Sequence, residues 1–270
     1  MSTRFDKIDI IRGLFFIPMF IYHLFSFYDL TSLFKTNWAD IPIIKNLGYV
    51  RNLYIILAGF SVYLSYKSYQ AKKEKNKDIQ SSDFFKTRLY RTLGVAKYAL
   101  IISIISHYLF PTYGIKFGIL HFIALGTLFI SPIAFINNIF ITICFLLLWI
   151  QFSNKIPVIH PIIDTITGSR IHYNMADYFG FDKNIPYLLV GLALGQMMSS
   201  KITNLNTSSK IDKNNLKESK TIKTLEWMGQ NSLELYFSHF MIIMIIYWIL
   251  WHVYSSKALI VTQHSQNYKK

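Results

Sequence analysis

The chain has one cysteine, Cys144, and only 16% of its 270 residues are charged. A lone thiol excludes an internal disulfide framework and a cysteine-rich metal cluster. With 12 glycines and 7 prolines the chain is no collagen-like fibre, and its apolar content excludes a disordered regulator. No two histidines stand three or four residues apart and no His-Glu-x-x-His stretch occurs, so no metal site is assigned. Gly59-Phe60-Ser61 lacks the second glycine and the strand-turn-helix setting of a nucleophile elbow, which leaves a serine nucleophile unsupported.

The scarcity of charge accompanies 52% apolar and 17% aromatic residues. A soluble domain carries roughly a quarter charged residues spread along its length. Here the charges cluster between long apolar runs, which makes the chain an all-α polytopic membrane protein in a single domain over 1–270. About seven spans are expected, over 10–28, 47–66, 88–110, 115–135, 138–153, 184–200 and 229–253. The formal net charge of +14 would suggest nucleic acid in a soluble chain. Beside membrane spans the positive-inside rule explains it, and no nucleic-acid partner is assigned.

Lysines set the expected orientation. Lys67, Lys72, Lys73, Lys75, Lys77 and Lys86 follow the second span, and Lys201, Lys210, Lys213, Lys217, Lys220 and Lys223 follow the sixth. Both connections are therefore expected on the cytoplasmic side of a cell (plasma) membrane, with the N-terminus inside and the loop 153–184 outside. The stretches 68–83 and 201–220 read as solvated linkers. Arg12 interrupts the first apolar run and no small-x-small site follows, so this span reads as an anchor rather than a cleaved signal peptide.

An ionisable group inside a span is costly unless it is paired or meets water, so such groups mark candidate sites. Arg12 and His23 are eleven residues apart, which at about 100° per residue comes within about 20° of three full turns. They share a helix face, about 16 Å apart along the axis, with Asp9 placed to pair with Arg12. Arg12 alone also fits a snorkelling anchor. Arg88 and Arg91 lie on one side of the third span, and their guanidinium forks suit phosphate oxygens, although positive-inside anchoring would place arginines there too. Lys97 lies deeper in the same span and His107 near its end. His121, Glu234 and His239 are intramembrane as well, and each serves equally as interhelical glue or as a substrate contact. Gly191 and Gly195 read as a close helix contact.

Several of these residues stand in motifs. Arg4-Phe5-Asp6-Lys7-Ile8-Asp9-Ile10-Ile11-Arg12-Gly13 followed by His23 resembles the start of the transmembrane acyltransferase superfamily, particularly relatives of the heparan-alpha-glucosaminide N-acetyltransferase catalytic domain. Leu57-Ala58-Gly59-Phe60-Ser61, Arg88-x-x-Arg91, Phe117-Gly118-Ile119-Leu120-His121-Phe122-Ile123 and Gly229-Gln230-Asn231-Ser232-Leu233-x-x-Tyr236-x-x-His239 resemble its later motifs in order.

The resemblance implies an acyltransferase that moves an acyl group, acetyl foremost, from cytoplasmic acyl-CoA to a sugar or other acceptor at the opposite face. Arg88, Arg91 and Lys97 would hold the co-substrate, and His23 would act as general base or carry the acyl group itself, with Arg12 on the same face as a second catalytic candidate. Asp9, His121, Ser232, Tyr236 and His239 are further site candidates, and Asn52 or Tyr22 is a candidate oxyanion donor. No metal is implied. The acceptor would be a glycan, a glycolipid or a small sugar, and a homo-oligomer is compatible with the sequence. The chain lacks the extra spans and luminal domain of the lysosomal enzyme type, so amino-sugar specificity does not carry over. A proton- or ion-coupled transporter using the intramembrane His, Glu and Arg groups is the alternative, and a scaffold without activity is a third.

Overall fold

The computed structural model describes residues 6–30, 41–110, 114–115, 117–152, 179–198 and 219–267. Within these residues the regular elements are all helices. In chain order they are α1 (Asp6–Leu30), α2 (Pro42–Gly48), α3 (Val50–Lys75), α4 (Ser81–Leu109), α5 (Ile119–Phe129), α6 (Ser131–Ile136), α7 (Ile139–Phe152), α8 (Phe181–Met197), α9 (Lys220–Gln230) and α10 (Ser232–Asn267). Among the described residues five stretches are long and apolar enough to cross a membrane: Asp6–Phe25, Pro42–Lys75, Ser81–Leu109, Ile119–Ile136 and Ser232–Val253. The other two expected spans, 138–153 and 184–200, correspond to the shorter helices α7 and α8, of 14 and 17 residues. Nearly all of the expected outer loop 153–184 and of the linker 201–220 lies outside the described residues.

The expected linker 68–83 is mostly helix. α3 continues to Lys75 and α4 begins at Ser81. Gln, Ala, Lys and Glu after residue 69 are strong helix formers, and 26 residues at about 1.5 Å each outrun a hydrocarbon layer of about 30 Å. The span thus carries its helix past the apolar layer before Asn76 stops it. The span expected over 115–135 is likewise divided, because Pro132 starts a new helix, α6, directly after α5. Asn137, at φ 54°, ends α6, and Asn138 Oδ1 accepts the N–H of Phe140 at 2.9 Å to start α7.

Along α4, Tyr90, Leu93, Leu100, Ile104 and Tyr108 recur at steps of three, four or seven residues and are 75, 55, 60, 60 and 82% exposed. An apolar face of this kind, broken here only at Lys97, suits lipid better than water. The opposite faces build a ring: α1 packs on α3, α3 on α5, α5 on α4, α4 on α10 and α10 back on α1. α8 braces the ring from behind α3, with Leu188, Leu189 and Leu192 fully buried, and α9 braces it from behind α1.

Both braces depend on glycine. A Cβ at Gly59 would fall on the carbonyl of Leu188, and one at Gly191 on the carbonyl of Ile56. Gly195 lies against the Tyr63 ring, as the spacing of Gly191 and Gly195 suggests. Between α1 and α9 the pattern repeats, Gly13 lying on the carbonyl of Leu225 and Gly229 on that of Asp9. Gly94 on α4 differs, since nothing lies within 4 Å of an added Cβ. Gly191→Leu is therefore expected to cost about 1–3 kcal/mol by overpacking, read as a lower unfolding temperature in detergent. Gly94→Ala is expected to be neutral or stabilising, because helix propensity alone favours alanine by about 1 kcal/mol. Equal losses in the two variants would refute the close-contact assignment.

Candidate active site

The helix ring lines a half-open cavity of about 630 Å³. Each of its five helices contributes wall: Arg12 and Met19 from α1, Tyr54, Leu57, Ala58 and Ser61 from α3, and Arg88, Arg91, Thr92, Gly94, Val95, Lys97 and Tyr98 from α4. Ile119, Leu120, Ile123 and Thr127 of α5 and Ser232, Leu233, Glu234 and Tyr236 of α10 complete it. Most of this lining is apolar, and its charged members are four cations, Arg12, Arg88, Arg91 and Lys97, and one carboxylate, Glu234. Of the residues expected to act together, Arg12, Arg88, Arg91, Lys97, Ser232 and Tyr236 all reach this one space.

Each arginine is held by a different neighbour. Arg12 Nη1 donates to Asp9 Oδ1 at 2.7 Å, while Nη2 donates to Ser61 Oγ across the α1–α3 contact. Tyr54 adds a second tie by donating its hydroxyl to the Arg12 carbonyl at 2.8 Å. Arg88 is 5% exposed, and its Nε donates to Ser131 Oγ at 3.3 Å. Arg91 Nη1 donates to Ser65 Oγ at 3.2 Å, and Lys97 Nζ sits 5.5 Å from the centre of the Tyr98 ring. Among the described residues no carboxylate pairs with Arg88, Arg91 or Lys97. A buried guanidinium that meets only hydroxyls retains its full charge, and burying such a charge is costly unless an anion compensates it.

His23 lies farther along α1, on the buried stripe of Asp9, Gly13, Phe16 and Met19. Its Nδ1 is 3.1 Å from Nε2 of His239 on α10, and His239 Nδ1 is 2.9 Å from the Leu235 carbonyl. The two imidazoles are 8 and 5% exposed and lie between Phe16, Phe20, Tyr236 and Phe240. Tyr236 joins the two regions: it lines the cavity, and its ring centre is 5.7 Å from that of His23 and 5.1 Å from that of His239. His239 is seven residues beyond Ser232, about 10 Å along α10, so the histidine pair lies past the cavity on both helices.

His121 is positioned differently from what a substrate contact requires. It is not part of the cavity wall; its Nδ1 accepts the Gly118 N–H at 3.2 Å and its Nε2 lies 3.2 Å from Ser103 Oγ. As the third residue of α5 it caps that helix and ties it to α4, which uses both ring nitrogens. Ser61, Ser65 and Ser131 were not singled out as arginine partners, because they lie 49, 26 and 43 residues from Arg12, Arg91 and Arg88. Their only local signal is a hydroxyl on an otherwise apolar helix face. Among the described residues no group of three or more His, Cys, Asp or Glu side chains is placed to hold a metal ion.

A largely apolar cavity with an excess of cations, next to a buried histidine pair, suits an anionic substrate with an uncharged reactive end. Residues 4–241 match the sequence profile of the family described as heparan-alpha-glucosaminide N-acetyltransferase, catalytic. Neither a curated protein nor a solved structure gives a significant match. The profile spans the whole ring from α1 to the first turns of α10, and the chain belongs to the heparan-alpha-glucosaminide N-acetyltransferase catalytic family of membrane acyltransferases.

Proposed function

We propose that the chain transfers an acetyl group from acetyl-CoA to a hydroxyl or amine of a sugar or glycolipid acceptor across the membrane. The observation that carries this proposal is the set of Arg88, Arg91 and Lys97 on one cavity wall without a carboxylate partner among the described residues. Three cations around an apolar floor match the phosphates and the pantetheine arm of coenzyme A. Arg12, already neutralised by Asp9, contributes less net charge, and it fixes α1 so that His23 stays in place.

In the proposed reaction His23 takes the proton from the acceptor O–H or N–H as that heteroatom bonds to the thioester carbonyl carbon. The tetrahedral oxyanion then collapses and the C–S bond breaks. The thiolate recovers the proton from the imidazolium, giving acetylated acceptor and free coenzyme A. Tyr236, at the junction of cavity and histidine pair, is the nearest candidate to meet the thioester. The lysines at the end of α3 and before α9 support an orientation, on the positive-inside rule, with the cavity at the cytoplasmic side and His23 toward the outer side of a plasma membrane.

Three outcomes follow. Arg88→Ala and Arg91→Ala should each weaken acetyl-CoA binding by about 10-fold or more, the effect of losing one charge-assisted contact. Isothermal titration in detergent measures it, and unchanged affinity in both would reduce the pair to topological anchors. His23→Ala should lower acetyl transfer by about 100- to 10,000-fold with coenzyme A affinity nearly unchanged. Labelled transfer beside a binding isotherm reads both quantities, and full turnover in the folded variant would remove His23 from the chemistry. For sidedness, Lys72→Cys and Thr165→Cys in a Cys144→Ser background should be labelled from opposite faces of sealed cells. Labelling of both from one face would overturn the orientation.

A further inference from the structure

The contacts of the two buried imidazoles are directional. A carbonyl oxygen can only accept, so the 2.9 Å contact between His239 Nδ1 and the Leu235 carbonyl places the proton of His239 on Nδ1. With the ring neutral, His239 Nε2 is then a lone pair, and the 3.1 Å contact requires His23 Nδ1 to donate to it. One backbone carbonyl thereby fixes the tautomers of both rings. On His23 the lone pair is left on Nε2, which has no hydrogen-bond partner among the described residues. Of the aromatic groups around the pair, Phe16, Phe20 and Phe240 carry no hydrogen-bonding atom that could compete for the Nδ1 proton.

We infer that His239 is a positioning residue that holds His23 in the Nδ1–H tautomer and presents its Nε2 lone pair to the acceptor. The inference rests on the general-base role proposed for His23 for its catalytic meaning, and on the two contacts alone for the tautomer. Its logic is that of any orienting partner of a catalytic imidazole, here supplied by a second imidazole braced on α10 instead of a carboxylate. A neutral partner suits this position, because a carboxylate buried among four aromatic rings would need a cation of its own.

The test is spectroscopic and kinetic. In protein labelled with ¹⁵N-histidine, the His23 signals, identified by their loss in His23→Gln, should show a protonated Nδ1 and an unprotonated Nε2. His239→Leu preserves bulk but removes the acceptor, and should shift His23 toward the Nε2–H tautomer. That variant should lose about 100- to 10,000-fold in kcat while KM for acetyl-CoA changes little. His239→Gln places an acceptor oxygen where Nε2 stood and should recover most of the activity and the Nδ1–H signal. An Nε2–H tautomer in the parent protein, or an unchanged His23 spectrum in His239→Leu, would overturn the inference, since interhelical glue predicts no change of tautomer. Should His239→Leu fail to fold, the parent spectrum and the His239→Gln variant still decide. Turnover in His23→Ala would instead sink the general-base role and leave the tautomer assignment standing, so the two failures are distinguishable.

Discussion

A guanidinium withdrawn from water must be compensated, and much of this bundle's internal geometry follows from how buried Arg88 and half-buried Arg12 meet that constraint, with the more exposed Arg91 beside them. Arg12 draws on Asp9 within its own helix and on Ser61 of α3, so neutralisation and helix docking are accomplished by one side chain. Arg88 reaches Ser131 at the start of α6, and Arg91 reaches Ser65 of α3. Through these bonds α4 is tied to α6 and to α3, neither of which is its direct neighbour in the ring. What the three arginines do not receive is equal compensation: one has a carboxylate, the other two have hydroxyls.

The braces behind the ring solve a different problem. In lipid, helices gain little from hiding apolar side chains from one another, so close backbone approach supplies the attraction. Gly59 with Gly191, and Gly13 with Gly229, allow α8 and α9 to press directly on the backs of α3 and α1. The side of the ring facing the cavity is freed from that duty. α4 can carry Gly94, where no neighbour approaches, beside Arg91 and Lys97 without weakening any helix contact.

Much of this was legible in the chain itself. Helical periodicity placed Asp9, Arg12 and His23 on one face, and the step of three put Arg88 and Arg91 together, because both relations lie within a single helix. The glycine spacing in α8 announced its close contact for the same reason. Relations between helices were not legible. Ser61, Ser65 and Ser131 are ordinary residues until folding brings them beside an arginine, and His23 meets His239 across 216 positions. His121 shows the converse: the sequence left interhelical contact and substrate contact equally open, and its position three residues into α5 gives its nitrogens to capping and to Ser103 of α4. The helical linker after residue 68 was hidden because polarity indicates exposure to water and says little about backbone conformation.

The choice of hydroxyls as partners for Arg88 and Arg91 bears on what the cavity can hold. A carboxylate at either place would satisfy the same N–H groups more strongly, but it would cancel the charge and compete with any anion for the fork. Serine satisfies one donor and leaves the charge and the remaining donors available. The arrangement is less favourable for the empty bundle and more favourable for the occupied one, which is how a site places binding energy in its complex instead of in its own fold. The histidine pair follows the opposite rule. His239 and the Leu235 carbonyl satisfy the Nδ1 side of His23 from within the protein. Under the proposed function the cation wall is left unsatisfied to bind, and the imidazole is satisfied on one side to react. Tyr236, touching both, marks the boundary between these two ways of arranging buried polarity.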